Sequence, residues 1–188
     1  MACGTSKLTK SIGSTVCVRP GGFDKKAWAF NRDDFKGRVF NVTSKNLEAF
    51  LLAQGTKGYA AVGRKDKNTA GATVVLGDSG ATFNHSVSLK FYHDTQLERL
   101  AITEFIKAEE LVVFMLGNDD VIEVYGLYKG LNTASGAYVG GTLQSDEKSI
   151  TVVKEGLEAD LPWIFRSGPA STLEDDIAYL NAKLIAAA

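Results

Sequence analysis

Few side chains in this sequence sit at spacings that chemistry requires. Gly77-Asp78-Ser79-Gly80 matches the stretch around the nucleophile of one class of serine protease. Those enzymes order their triad His, Asp, Ser, whereas both histidines here, His85 and His93, follow Ser79. Triads that place Ser first use a Gly-x-Ser-x-Gly elbow, which Ser79 lacks. Gly-Asp-Ser-Gly is also simply a good turn. Cys3 and Cys17 have no Cys-x-x-Cys partner and no histidine at ligand spacing, which argues against zinc. The pairs Asp33-Asp34 and Asp119-Asp120 fall in turn sequences, where bonds to their own backbone account for them. Gly140-Gly141 has no phosphate-loop context. His85 belongs on the apolar face of a strand, as a structural histidine. Asn41-Val42-Thr43 and Asn84-His85-Ser86 fit the glycosylation triplet, which carries meaning only in a secreted chain. The chain is therefore read as a non-enzyme with no cofactor and no metal.

The elements point to sheet. Leu111–Leu116 and Val121–Tyr128 are apolar, β-branched runs around Gly117-Asn118-Asp119-Asp120, a hairpin whose first strand should be covered on both faces. Lys26–Asn31 and Arg38–Thr43 read as strands joined by the polar turn Arg32-Asp33-Asp34. Leu47–Leu52 fits either a short helix or a strand. Gly58–Val62 is a strand, Arg64–Gly71 is polar enough for a projecting loop, and Thr73–Leu76 leads into the Gly77–Gly80 turn. Thr82–Phe91 alternates cleanly, with Phe83, His85, Val87, Leu89 and Phe91 on one face. Thr95-Gln96-Leu97-Glu98 is a capping box. It opens a helix to Ala108 that presents Leu97, Leu100, Ala101, Phe105 and Ala108 on one face.

Downstream, Lys129–Ser145 reads as a long loop or a second hairpin, and Ser149–Val153 as a strand. Leu161–Phe165 is apolar, with Pro162 arguing for a sheet edge. Ser171-Thr172-Leu173-Glu174 is a second capping box. It begins a tail helix striped by Leu173, Ile177, Leu180 and Leu184, either for packing on its own domain or for docking on a partner. The expected division is a flexible N-terminal arm over 1–22, a β domain over 23–170 and the helix over 171–188.

Composition agrees. Nineteen glycines against three prolines favour turns and sheet over a helix bundle. The longest apolar run falls far short of a membrane span, and the N-terminus lacks the apolar core of a signal peptide. These features suggest a chain kept in a cytoplasm unless it travels in a particle. Net charge is −1, but residues 1–67 hold 13 basic and 5 acidic side chains, and residues 68–188 hold 8 and 17. That asymmetry suits nucleic-acid or membrane contact, pairing within one fold, or head-to-tail stacking of subunits. The basic residues are scattered and not interleaved with aromatics, which leaves specific nucleic-acid readout unsupported.

The opening, with Cys3, Cys17, Pro20-Gly21-Gly22 and a strand ending Asn31-Arg32-Asp33-Asp34, resembles N-termini of tailed-bacteriophage virion proteins. The later order is similar to the tail tube family: a long strand (Thr82–Phe91), one helix (Thr95–Ala108), a hairpin (Leu111–Tyr128), a Gly-rich excursion and a final strand. The phrase VIEVYGLYKGLNTASG, residues 121–136, is the most tube-like. The resemblance implies a mainly β fold of two packed antiparallel sheets, as a β-sandwich or half-barrel, with one flanking helix and here a C-terminal helix in addition. It implies homo-oligomeric, hexameric rings whose inner strands close a β-barrel, stacked into a tube in the virion tail.

Assembly would occur in the host cytoplasm, with no membrane involved and with other tail or connector proteins as partners. DNA would pass through without specific binding, aided by negative charge on the lumen wall. Arg64, Lys65, Asp66 and Lys67, with Lys129, Asn132 and Tyr138, are the expected contacts between subunits. A head–tail connector or tail-tip ring with the same fold is an alternative. A small carbohydrate-binding β-sandwich, with Trp28 and Trp163 as a sugar platform, is another from a different class.

Overall fold

The computed structural model describes residues 22–63, 67–77, 80–92, 95–140 and 148–184. In chain order these form β1 (Phe23–Asn31), β2 (Phe35–Phe40), β3 (Leu47–Leu52), β4 (Tyr59–Val62), β5 (Thr69–Gly77) and β6 (Gly80–Phe91). Helix α1 (Gln96–Lys107) follows, then β7 (Leu111–Gly117), β8 (Ile122–Tyr125), β9 (Asn132–Val139), β10 (Ser149–Glu158), β11 (Trp163–Phe165) and α2 (Leu173–Asn181). A seven-stranded sheet has the order β2-β3-β11-β8-β7-β1-β4, and a four-stranded sheet the order β5-β6-β10-β9. Among the described strands the pairings are antiparallel except β11 with β3. The fold is mainly β, two packed sheets with one flanking helix and a C-terminal helix.

The expected central strand is the organising one. Every residue of β7 is buried, because two apolar layers meet on its opposite faces. Leu111, Val113 and Met115 join Ala27, Ala29, Val87, Leu89 and Val152 between the two sheets. Val112, Phe114 and Leu116 join Trp28, Phe30, Phe50 and Phe165 on the other side, where α2 closes the layer. Rings pack edge-on there, Phe30 against Phe114 at 5.5 Å and Phe50 against Tyr179 at 5.7 Å. The hairpin turn after β7 uses the side chains its sequence offers. The Val121 amide donates to Asp119 Oδ1 at 3.3 Å, and Asp120 adopts φ +61°. Gly126 ends β8 at φ +70°, where a Cβ would lie 2.8 Å from the Leu111 carbonyl.

Leu47–Leu52, which fitted either a helix or a strand, is strand β3, inserted beside β2 and β11. Several other expectations are corrected. β2 starts at Phe35 and stops at Phe40, because Asn41 Oδ1 accepts the amides of Thr43 and Ser44 and turns the chain. The loop expected over Arg64–Gly71 does not project throughout. Asn68 is buried, donating to the Asp24 carbonyl at 3.0 Å and accepting the Lys90 amide at 3.2 Å, and Thr69 already belongs to β5. Lys129–Ser145 is not a loop over its described part, since Asn132–Val139 pairs with β10. Pro162 does not mark an edge: it precedes β11, which lies between β3 and β8.

Both helices differ from their sequence pattern in detail. Thr95 and Glu98 form the expected capping box of α1. The buried stripe is displaced, however: Leu97 and Leu100 are 73% and 52% exposed, and Ile102, Phe105 and Ile106 make the contact with the core. Only the C-terminal half of α1 reaches the sandwich. At α2 the cap is Thr172 with Asp175, one residue later than expected, because the Ser171 hydroxyl is engaged with the Gly168 carbonyl at 3.0 Å.

The α2 stripe packs inward, with Leu180 buried and Leu173, Ile177 and Leu184 against the same layer. These residues therefore pack on their own domain. Buried Asp176 fixes the helix by accepting from the Ser167 amide at 2.6 Å and from Arg166 Nη1 at 3.1 Å. No described helix is long and apolar enough to cross a membrane.

Candidate assembly face

The four-stranded sheet has one face in the core and one outside it. On β6 the inward residues are His85, Val87, Leu89 and Phe91, opposite Gly156, Lys154, Val152 and Ile150 of β10. The outward pairs on the same two strands are Asn84–Leu157, Ser86–Glu155, Ser88–Val153 and Lys90–Thr151. β5 extends this face with Thr69, Gly71, Thr73 and Val75, opposite Ser88, Ser86, Asn84 and Thr82. No residue of this outward surface belongs to either apolar layer. It is a field of hydroxyls and small side chains, with Lys90 and Glu155 as its charges. Glu155 accepts from the Ser86 hydroxyl at 3.2 Å and from Asn84 Nδ2 at 3.3 Å, a cross-strand network.

Both edges of this sheet are open among the described residues: β5 ends the order on one side and β9 on the other. All eight residues of β9 are exposed, and neither edge strand contains a charged residue or a proline. Two tethers hold β9 to the end of α1. The Thr133 hydroxyl donates to the Ile106 carbonyl, and Asn132 Oδ1 accepts the Glu110 amide at 2.9 Å. On the inward side Lys154 is buried, with its ammonium donating to the carbonyls of Ile106 and Ala108 and lying over the Phe105 ring at 5.1 Å. Burial lowers its pKa to about 8.

Of the residues expected to touch other subunits, Asn132 and Tyr138 lie on the open β9 edge. Lys129 sits in the turn before it, its amide donating at 2.8 Å to buried Glu158. Lys67 is exposed just before β5, whereas Arg64, Lys65 and Asp66 fall outside the described residues. Sequence reading missed an apolar groove of about 400 Å³ between α1 and β4, lined by Tyr59, Val62, Phe91, Ala101, Ile102 and Phe105 among others. Its only signal was the surplus of apolar side chains on α1 beyond those that the core needs.

The remaining candidates have structural explanations. The buried His85 ring donates from Nε2 to the Asp160 carbonyl at 2.8 Å and accepts the Gly126 amide at Nδ1, 3.3 Å away. These partners define the neutral tautomer, and burial pushes its pKa below the ordinary histidine value. Tyr125 lies against this ring and donates to Glu123; burial raises the phenol's pKa. Trp28 is buried and donates to Asn181 Oδ1 at 2.9 Å, so it offers no platform to a sugar. Trp163 packs on Phe40 at 4.7 Å. Ser79, His93, Cys3 and Cys17 lie outside the described residues. Among the described residues no group of three or more His, Cys, Asp or Glu is placed to hold a metal ion. No protein-family model, curated protein or solved structure matches the chain.

Proposed function

We propose that this chain is a tube-forming virion subunit of the bacteriophage tail, and that its four-stranded sheet is the unit from which the channel wall is built. The observation that carries this reading is a single antiparallel sheet with, among the described residues, two open, uncharged edges and an uncovered hydroxyl-rich face. A strand with unpaired amides and carbonyls on one side is a template for another strand. With one such edge at each side, β5 of one copy can pair with β9 of the next, and a heterologous contact of this kind closes into a ring. Closure removes both edges of this sheet at once.

Six copies of the four-stranded sheet would give about 24 strands, and at ~4.8 Å spacing with ~40° tilt the barrel is roughly 50 Å across its backbone. Subtracting the side chains leaves a channel of about 4 nm. The seven-stranded sheet, α1 and α2 form the outer layer in this arrangement. The wall would be near neutral rather than acidic, since Lys90 and Glu155 offset one another on the outward face. Hydroxyls with a single ammonium give phosphate little to hold, so DNA would slide.

Negative-stain electron microscopy of the purified protein, with light scattering on the same sample, tests the proposal. Tubes with a central hole near 4 nm are expected. Rings that never stack would move the assignment to a connector or tail tip, and a monomer at high concentration would refute it.

A further inference from the structure

The β5–β6 hairpin overruns the sandwich at one end of β6. Its ladder continues through Val74–Phe83, Val75–Thr82 and Leu76–Ala81, whereas the β10 pairing stops at Phe83. Val74, Val75 and Leu76 are 60%, 39% and 82% exposed, which brings aliphatic side chains to water on both faces of the hairpin. An uncovered apolar projection of this kind marks a contact surface. At the opposite end of β6, Phe91 and Tyr92 enter the wall of the apolar α1–β4 groove.

We infer that the Val74–Leu76 tip of one copy seats in the α1–β4 groove of the next copy along the tube. Knob and groove share a chemistry: aliphatic side chains on one, and Tyr59, Val62, Ala101 and Phe105 on the other. They stand toward the two ends of β6, about 30 Å apart, so a translation along β6 brings them together. The two surfaces differ, so the contact is heterologous and repeats in that direction without closing. Its area also selects the setting. Three side chains in one groove fall below the ~1,200 Å² of total burial typical of a stable pair. A ring presents all its knobs at once, and simultaneous engagement multiplies the contact. The inference rests on the ring reading above and adds how rings stack.

Leu76→Asp and Ala101→Arg test it, both at exposed positions, with thermal melts confirming that each variant folds. By electron microscopy each variant alone should form single rings, where the wild-type chain forms tubes of many rings. Preformed rings of the two variants, once mixed, should give two-ring stacks and nothing longer, because one retains the knob and the other the groove. Tubes of wild-type length from either variant would overturn the contact and leave the ring reading intact. So would a mixture indistinguishable from the single variants. Thin filaments without a hole that Leu76→Asp abolishes would keep the contact and overturn the tube. A wild-type chain that never associates would overturn both.

Discussion

Replacing Lys154 with Met should remove a contribution to stability that grows as pH rises, the opposite of the usual alkaline loss. Lys154 is 1% exposed, faces the inter-sheet core opposite Val87, and donates from its ammonium to backbone carbonyls at the end of α1. The charge of Glu109 opposes desolvation only in part, and the pKa falls from 10.5 to about 8. Between those values the unfolded chain binds a proton that the folded chain does not, so stability must rise as pH rises through the window. The gap is about 2.5 pH units, which at ~1.36 kcal/mol per unit amounts to about 3 kcal/mol. For a chain of this size that is about 6–12 °C in Tm.

The assay is circular-dichroism melting of dilute wild-type and Lys154→Met protein from pH 7.5 to 10.5. The difference curve, wild type minus variant, should climb across that range. Tyr125 pulls the other way: its raised pKa contributes stability that is lost as pH rises above 10. Both proteins contain it, so it cancels in the difference. A flat or falling difference curve would refute the reasoning, because it would mean that the bonds to the α1 carbonyls outweigh the desolvation of the ammonium.

His85 gives an acid-side counterpart. Its depressed pKa contributes stability that is present above pH 6.5 and lost as pH falls below it. Acid-unfolding curves of His85→Asn should lack that slope and start about 1–3 kcal/mol lower at pH 7, because buried partners lose their bonds. Leu180→Ala, at a fully buried position, should cost about 2–5 kcal/mol and shift Trp28 emission to the red as α2 loosens. Leu97→Ala on the exposed face of α1 should stay within ~0.5 kcal/mol of wild type.

The core was legible where period and composition agreed. β7 announced itself as an apolar run that needed cover on both faces, and β6 as a clean alternation with His85 turned inward. The capping box at Thr95 located the start of α1 because the motif is local. The buried face of α1 was not legible. The i, i+3, i+4 pattern assumes contact along the whole helix, and α1 touches the sandwich only through its last turns, so Leu97 and Leu100 counted as core without entering it. β9 was hidden for a related reason. An edge strand exposed on both faces buries nothing, and Asn132–Val139 therefore carries no hydrophobic period to detect. The position of β11 depended on a parallel contact with β3, more than a hundred residues earlier in the chain, which no local signal records. The candidate site consists of such features, open edges and an uncovered polar face. Sequence reading reached Asn132 and Tyr138 only through family likeness.

The uncharged edges of the four-stranded sheet also bear on how the protein can be handled. Soluble β proteins ordinarily guard their borders with lysine, proline or a bulge, so that strands do not join at random. β5 and β9 carry neither lysine nor proline, and β9 departs from regular pairing where Ser135 and Thr133 face Val153 and Lys154. On the proposed assembly, a concentrated solution of free subunits is metastable. Orderly growth would then come from kinetics: a slow first nucleus, then rapid addition to an existing end. Such a subunit should show a lag phase that preformed seeds abolish, and it is best kept dilute and cold until a seed is supplied.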